Sequence, residues 1–246
     1  MTAAPVRRLD VLAVTTLLCD ADGTLFPSEE PAYAASADVT NRFLAGLGVD
    51  RAFAPDELQR LTNGKNFRGA ATELAAARGR DLTRADLDSW VSEEKDVVTA
   101  HLRTVLRPDD GVRGPLERLA QRFTLSAVTS SACSRLAACL DVTALDPLFP
   151  SDRRFSAEDS LPEPTSKPDP AVYLHAGRTL GVGPAQAVAV EDSVNGARSA
   201  VAAGYPTIGI LQFVPEVDRP ARADALRAAG VAVVVESWAD VEAVLC

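Results

Sequence analysis

Residues 17–26 read Leu17-Leu18-Cys19-Asp20-Ala21-Asp22-Gly23-Thr24-Leu25-Phe26, an apolar run that stops abruptly at two carboxylates one residue apart and a glycine. From Thr15 to Cys19 the side chains are β-branched or aliphatic without polar alternation, the pattern of a strand buried on both faces of a parallel sheet. Asp20 then stands at the strand's carboxyl end, just where open α/β sheets receive their ligands. An Asp-x-Asp at that edge is placed for catalysis or for metal binding. The plainer alternative is an Asx-rich turn, since Asp and Gly are ordinary turn formers.

Upstream, Arg7-Arg8 followed by Leu9 to Cys19 mimics a signal peptide, and Leu17-Leu18-Cys19 mimics a lipoprotein cleavage site. Asp10 interrupts the apolar stretch, no small residue directly precedes Cys19, and cleavage there would detach the strand that presents Asp20. No stretch approaches the roughly 20 apolar residues of a membrane span. The expectation is a cytoplasmic protein without a membrane partner.

With 246 residues, 47% of them hydrophobic and 24% charged, the chain can build one large domain or two small ones. Its 34 acidic against 25 basic residues give a formal charge of −9, and no Lys/Arg stripe is available to a nucleic-acid backbone, so nucleic acid is not expected as a partner. An anionic protein acting on an anionic substrate needs local positive charge or a metal. Cys19, Cys133, Cys139 and Cys246 have no C-x-x-C spacing and are joined by only His101 and His175, which disfavours a zinc site and reads as free thiols.

Downstream of Phe26 the strand signal vanishes. Helical patterns cover Ala34 to Leu47, a short segment from Pro55, Phe67 to Arg78, and a long segment after Thr83, an N-cap candidate, towards Leu106. Between the second and third, Thr62-Asn63-Gly64-Lys65-Asn66 reads as a loop. Residues 27–107 thus form an all-helical insertion, while residues 1–26 and 108–246 carry the strand-helix alternation.

After Pro108 the spacing predicts a helix over Pro115 to Arg122 and a strand over Phe123 to Val128 that ends in Thr129-Ser130-Ser131. Ser166-Lys167-Pro168-Asp169-Pro170 opens a helix through Leu180, with Asp169 as N-cap and Pro170 first in the helix. Ala187 to Val190 is a buried strand that ends in Glu191-Asp192-Ser193. Thr207 to Leu211 and Val231 to Val235 add two more, and a further short strand is expected near Phe155. The predicted fold class is α/β: a doubly wound, mostly parallel, Rossmann-like sheet with an inserted helical domain.

Strand ends and helix starts therefore offer Asp20 and Asp22, Thr129 and Ser130, Lys167, and Glu191 with Asp192. In this order, the Asp-x-Asp-Gly-Thr turn, Val-Thr-Ser-Ser, Ser-Lys-Pro-Asp-Pro and Val-Glu-Asp-Ser-x-x-Gly followed by Ala-Ala-Gly resemble the haloacid dehalogenase superfamily over nearly the whole chain. The insertion is similar to the helical cap of the branch that contains sugar-phosphate phosphatases and β-phosphoglucomutase.

That resemblance implies a phosphatase in which Asp20 is the nucleophile. A carboxylate is already ionised at neutral pH and needs no activating base, and Mg²⁺ and Lys167 would offset its repulsion from phosphate. It implies Mg²⁺ on Asp20, the Asp22 main-chain carbonyl and Asp192, with Glu191 contributing directly or through water. Asp22 would be general acid and then general base, and Thr129 and the Ser130 amide would hold phosphate oxygens. Many relatives carry Asn where Ser130 stands, and an acidic residue where Pro27 enters the cap.

The resemblance also places the loop holding Lys65, Asn66 and Arg68 over the substrate, and its polar, cationic character fits a sugar or polyol phosphate. A small phosphorylated metabolite is the expected partner, and the chain is expected to be a monomer or weak homodimer. A phosphosugar mutase uses the same residues and is separable by its product. A phosphate-ligand sensor without turnover is a rival of another class, which intact Asp20 and Asp22 disfavour.

Overall fold

The structure, a computed structural model, describes residues 11–62 and 67–246. These fall into two compact units, divided after Pro27 and after Leu106.

The larger unit is built on a six-stranded sheet of β1 (Thr16–Cys19), β2 (Thr124–Thr129), β3 (Arg154–Ser156), β4 (Ala187–Glu191), β5 (Thr207–Ile210) and β6 (Val233–Val235), in the order β3-β2-β1-β4-β5-β6. Every pairing is parallel, with Cys19 opposite Ala127 on one side and Val190 on the other. β1 and β4 are buried along their whole length, as strands covered on both faces must be. The chain winds outward from β1 to β3 and returns beside β1 as β4, so the order reverses between β1 and β4. A crevice opens at the carboxyl ends of the strands at such a reversal. The expected fold class is the one observed.

The smaller unit, Ser28–Leu106, is helical: α1 (Glu29–Gly46), α2 (Pro55–Thr62), α3 (Phe67–Ala76) and α4 (Arg84–Val105). Phe43, Leu44, Leu58, Ala71 and Ala75 form its core, with Phe67 and Trp90 packed against them. Phe43 meets the rings of Phe67 and Trp90 edge-on at centroid distances of 6.3 and 5.7 Å. Asn41 ties the approach to α2 onto α1, donating to Phe53 O at 2.9 Å and accepting from Phe53 N at 2.8 Å. Thr83 caps α4 by accepting from Asp86 N at 3.1 Å, as its position predicts.

The sheet is flanked by α5 (Asp110–Leu119), α6 (Cys133–Val142), α7 (Ala171–Leu180), α8 (Val194–Ala202), α9 (Arg219–Ala229) and α10 (Trp238–Leu245). Leu18, Val128, Phe155, Ala189, Val172, Tyr173, Ala176 and Ala200 share one cluster between the sheet, α7 and α8. The strand near Phe155 exists, as the three-residue β3. Three helix starts differ from expectation, the first being α1, which begins at Glu29 rather than at Ala34. α5 begins at Asp110, capped by Asp109, with Pro115 buried inside it rather than opening it. Burial of Val112, Leu116 and Leu119 on one face outweighs the lost N–H of that proline. α7 begins at Ala171, with Pro170 in the cap position; Asp169 instead accepts from Ala171 N at 2.8 Å, an Asx-type bond two residues on.

Candidate active site

The tight loop after β1 sets the first two carboxylates. Thr24 N and Leu25 N both donate to Ala21 O, at 3.2 and 2.8 Å, and Gly23 N donates to Phe26 O at 3.0 Å. Gly23 adopts φ +81°, and a Cβ there would lie 2.5 Å from Asp192 Oδ2. Both the left-handed backbone and the close approach of Asp192 therefore call for glycine. Asp20 N donates to Val190 O at 2.9 Å, which brings the end of β1 beside the end of β4.

Four of the sequence-predicted residues meet at this edge. Lys167 Nζ donates to Asp20 Oδ1, to Glu191 Oε1 at 2.6 Å and to Val128 O at 2.8 Å, using its three donors. Asp20, Glu191 and Asp192 are buried, and one carboxylate oxygen from each lies within 4.8 Å of the others. Thr24 Oγ1 donates to Asp192 Oδ1 at 3.1 Å. Asp22 is half-buried, and its Oδ2 accepts from Ser131 Oγ at 2.8 Å and from Thr129 Oγ1 at 3.3 Å. Ser130 Oγ accepts from Lys167 N at 3.1 Å, so this side chain seats the loop that delivers the lysine. Ser199 Oγ fixes the same loop from α8, donating to Asp169 O at 2.6 Å.

Two participants are absent from the sequence-predicted set. Tyr173 OH donates to Glu191 Oε1 at 2.6 Å, and its ring centroid lies 5.1 Å from Lys167 Nζ. In sequence it reads as one more apolar residue of α7, and its six-residue distance from Lys167 is the only signal that could single it out. Ser131 lies in the hydroxyl run already noted at the end of β2, but nothing in sequence separates its role from that of its neighbours. Of the predicted substrate contacts, Arg68 sits on α3 and pairs with Asp88 Oδ1 of α4 at 2.8 Å. Lys65 and Asn66, like Asn63 and Gly64, lie outside the described residues.

The electrostatics show a surplus of negative charge. Burial, and then the charge of Asp20, push Glu191 up to about 7 against the pull of Lys167 and the Tyr173 hydroxyl. Burial likewise raises Asp20, with Lys167 acting in the opposite sense and Asp22 adding to the rise. Burial works against the Lys167 ammonium, but Asp20 and Glu191 outweigh it and hold the group above its ordinary range. Glu191 Oε2 is buried without a hydrogen-bond partner among the described residues, and a Cβ on Gly196 would lie 1.8 Å from it. An orphaned carboxylate oxygen within an all-oxygen donor set fits a hard divalent cation.

A doubly wound sheet thus brings a buried lysine and the carboxyl groups of Asp20, Asp22, Glu191 and Asp192 to its switch point, the place where open α/β enzymes bind their ligands. The haloacid dehalogenase-like hydrolase family matches residues 14–204, and the chain belongs to that family. It is 31% identical over 222 residues to protein CbbY of Cereibacter sphaeroides, covering 87% of this chain and 91% of that one. It is 31% identical over 201 residues to a phosphoglycolate phosphatase of Pseudomonas putida, covering 79% of this chain and 68% of the relative. Among solved structures, a conserved haloacid dehalogenase-like protein of Agrobacterium tumefaciens superposes with a TM-score of 0.66 at 27% identity, covering 94% and 97% of the two chains. The chain is an enzyme of the phosphatase kind. Among the described residues no helix is long and apolar enough to cross a membrane.

Proposed function

We propose that the chain is a cytoplasmic, Mg²⁺-dependent phosphomonoester hydrolase that acts on a small sugar or polyol phosphate through an aspartyl-phosphate on Asp20. The observation that supports this most is the burial of Asp20 at the switch point, with Lys167 on its Oδ1 and oxygens of Glu191 and Asp192 within 4.8 Å. Asp20, the Asp22 main-chain carbonyl and Asp192 would hold Mg²⁺, with Glu191 directly or through water. The ion supplies positive charge that offsets repulsion between an anionic carboxylate and an anionic phosphate.

The chain's own groups do the rest. A carboxylate oxygen of Asp20 bonds to phosphorus as the bond from phosphorus to the ester oxygen breaks, and Asp22 gives its proton to the departing alkoxide. Asp22 then takes a proton from water, whose oxygen bonds to phosphorus and releases Asp20 and inorganic phosphate. Thr129 and the Ser130 amide bind non-bridging phosphate oxygens, and Lys167 keeps Asp20 oriented while balancing its charge. Ser28–Leu106 serves as the helical cap, with Lys65, Asn66 and Arg68 selecting the substrate. The enzyme works as a monomer or weak homodimer.

A phosphate-release screen tests this on a panel of sugar phosphates, polyol phosphates and 2-phosphoglycolate, the last included because of the Pseudomonas putida relative. The expected result is inorganic phosphate from at least one sugar or polyol phosphate, abolished by chelation and restored by Mg²⁺. An isomerised sugar phosphate without net phosphate release would replace hydrolysis by mutase chemistry. Activity indifferent to chelation would remove the metal.

A further inference from the structure

Asp192 is fixed by a residue that lies outside all four motifs and beyond the 14–204 stretch that matches the family. Arg222, on α9, extends its guanidinium to the carboxyl edge of β4. Its Nη1 donates to the Asp192 main-chain oxygen at 2.9 Å and lies 3.7 Å from Asp192 Oδ2. A second C-terminal brace reaches the same carboxylate indirectly: Trp238 Nε1 of α10 donates to Thr24 O at 2.8 Å, and Thr24 Oγ1 donates to Asp192 Oδ1. Oδ2 also lies close to Gly23, where a Cβ would stand 2.5 Å from it.

We propose that Arg222 is a positioning residue that holds Asp192 in the orientation in which it binds a divalent cation. The inference rests on the reading of Asp20, Glu191 and Asp192 as the cation site. Two roles are conceivable for a guanidinium here, and they predict opposite signs. As a bare charge it repels a divalent cation, so removing it would tighten metal binding. As a brace it keeps a ligand oriented, so removing it would weaken metal binding; loss of such an outer contact typically costs about 10–100-fold. Geometry favours the brace. The hydrogen bond goes to the peptide oxygen, while the carboxylate oxygen stands beyond hydrogen-bond reach of Nη1. Arg222 thus fixes the turn from β4 into α8 through the peptide oxygen, while its charge stands 3.7 Å from the carboxylate it positions.

The test is calorimetric titration of MgCl₂ into the full chain without substrate, comparing wild type with Arg222→Met, which keeps the apolar stem. We expect Mg²⁺ binding to be about tenfold weaker in Arg222→Met, with an unchanged circular dichroism spectrum. Equal or tighter Mg²⁺ binding by the folded variant overturns the inference while leaving the cation site intact. Absence of Mg²⁺ binding by the wild type overturns the cation site and the inference with it. If Arg222→Met does not fold, Arg222→Leu decides by the same readout, because it removes every donor that could reach the Asp192 main-chain oxygen. Weaker binding supports the brace, and unchanged or tighter binding contradicts it.

Discussion

Glu191 holds one oxygen against Lys167 and Tyr173 and the other against Gly196, inside a wholly buried setting. Its carboxyl is pushed up to about 7, whereas the same group in the unfolded chain titrates at its ordinary 4.5. Between those values the folded chain holds more protons than the unfolded one, so this group's contribution to stability is lost as pH rises through that window. Lys167 is held above its ordinary 10.5 and contributes evenly across the same range. In chelated protein, the melting temperature should therefore fall from pH 5 to pH 7.5, and Glu191→Gln should reduce that fall. Scanning calorimetry at both pH values checks it; an equal or larger fall in the variant would contradict it. A neighbouring test uses space: Gly196→Ala places a methyl where Glu191 Oε2 sits, and should lower kcat/KM at least tenfold while the protein stays folded. The carboxylates and Lys167 were legible in sequence because each ends a strand or opens a helix next to a turn residue. Tyr173 was not, because a buried tyrosine at helical spacing looks the same whether its hydroxyl meets water or a carboxylate.

At the scale of elements, the buried strands are legible because β1, β2 and β4 are mostly apolar, carry no charge before their last residue, and run into polar residues at their carboxyl ends. β3 is three residues long with a single aromatic, too little pattern for periodicity to detect; it exists because Val128 offers a parallel partner to Phe155. The α5 start was misplaced because a proline is read as a helix opener, while the Asp109 cap and a buried apolar face begin that helix earlier. Where a cap stands in front of an unambiguous amphipathic run, sequence suffices, as Thr83 and α4 show. Thr83→Ala should cost about 1 kcal/mol of stability, read by denaturant unfolding, since it leaves Asp86 N without its partner. A loss below a few tenths of a kcal/mol would assign the α4 start to packing alone.

For the whole molecule, the division after Pro27 and Leu106 separates a sheet whose edge gathers Asp20, Glu191 and Asp192 from a helical unit that holds none of these three. The proposed division of labour is that the sheet grips the phosphoryl group and the helical unit chooses the ester. Lys65→Ala and Asn66→Ala should then lower kcat/KM on the best natural substrate several-fold more than on p-nitrophenyl phosphate, because only the former offers polar groups to select. Equal losses on both would move specificity elsewhere. Composition and charge constrained partners without naming a substrate, since nothing in a polar cap loop distinguishes one small phosphate ester from another. The proposed mechanism turns on one oxygen atom, the Asp20 carboxylate oxygen proposed to attack phosphorus. Asp20→Asn keeps the shape of that side chain and removes the nucleophile, so its rate of phosphate release at saturating Mg²⁺ is the direct measurement. The expected result is a folded protein with turnover reduced by at least about a thousandfold; phosphate release near the wild-type rate would rule out Asp20 as the nucleophile.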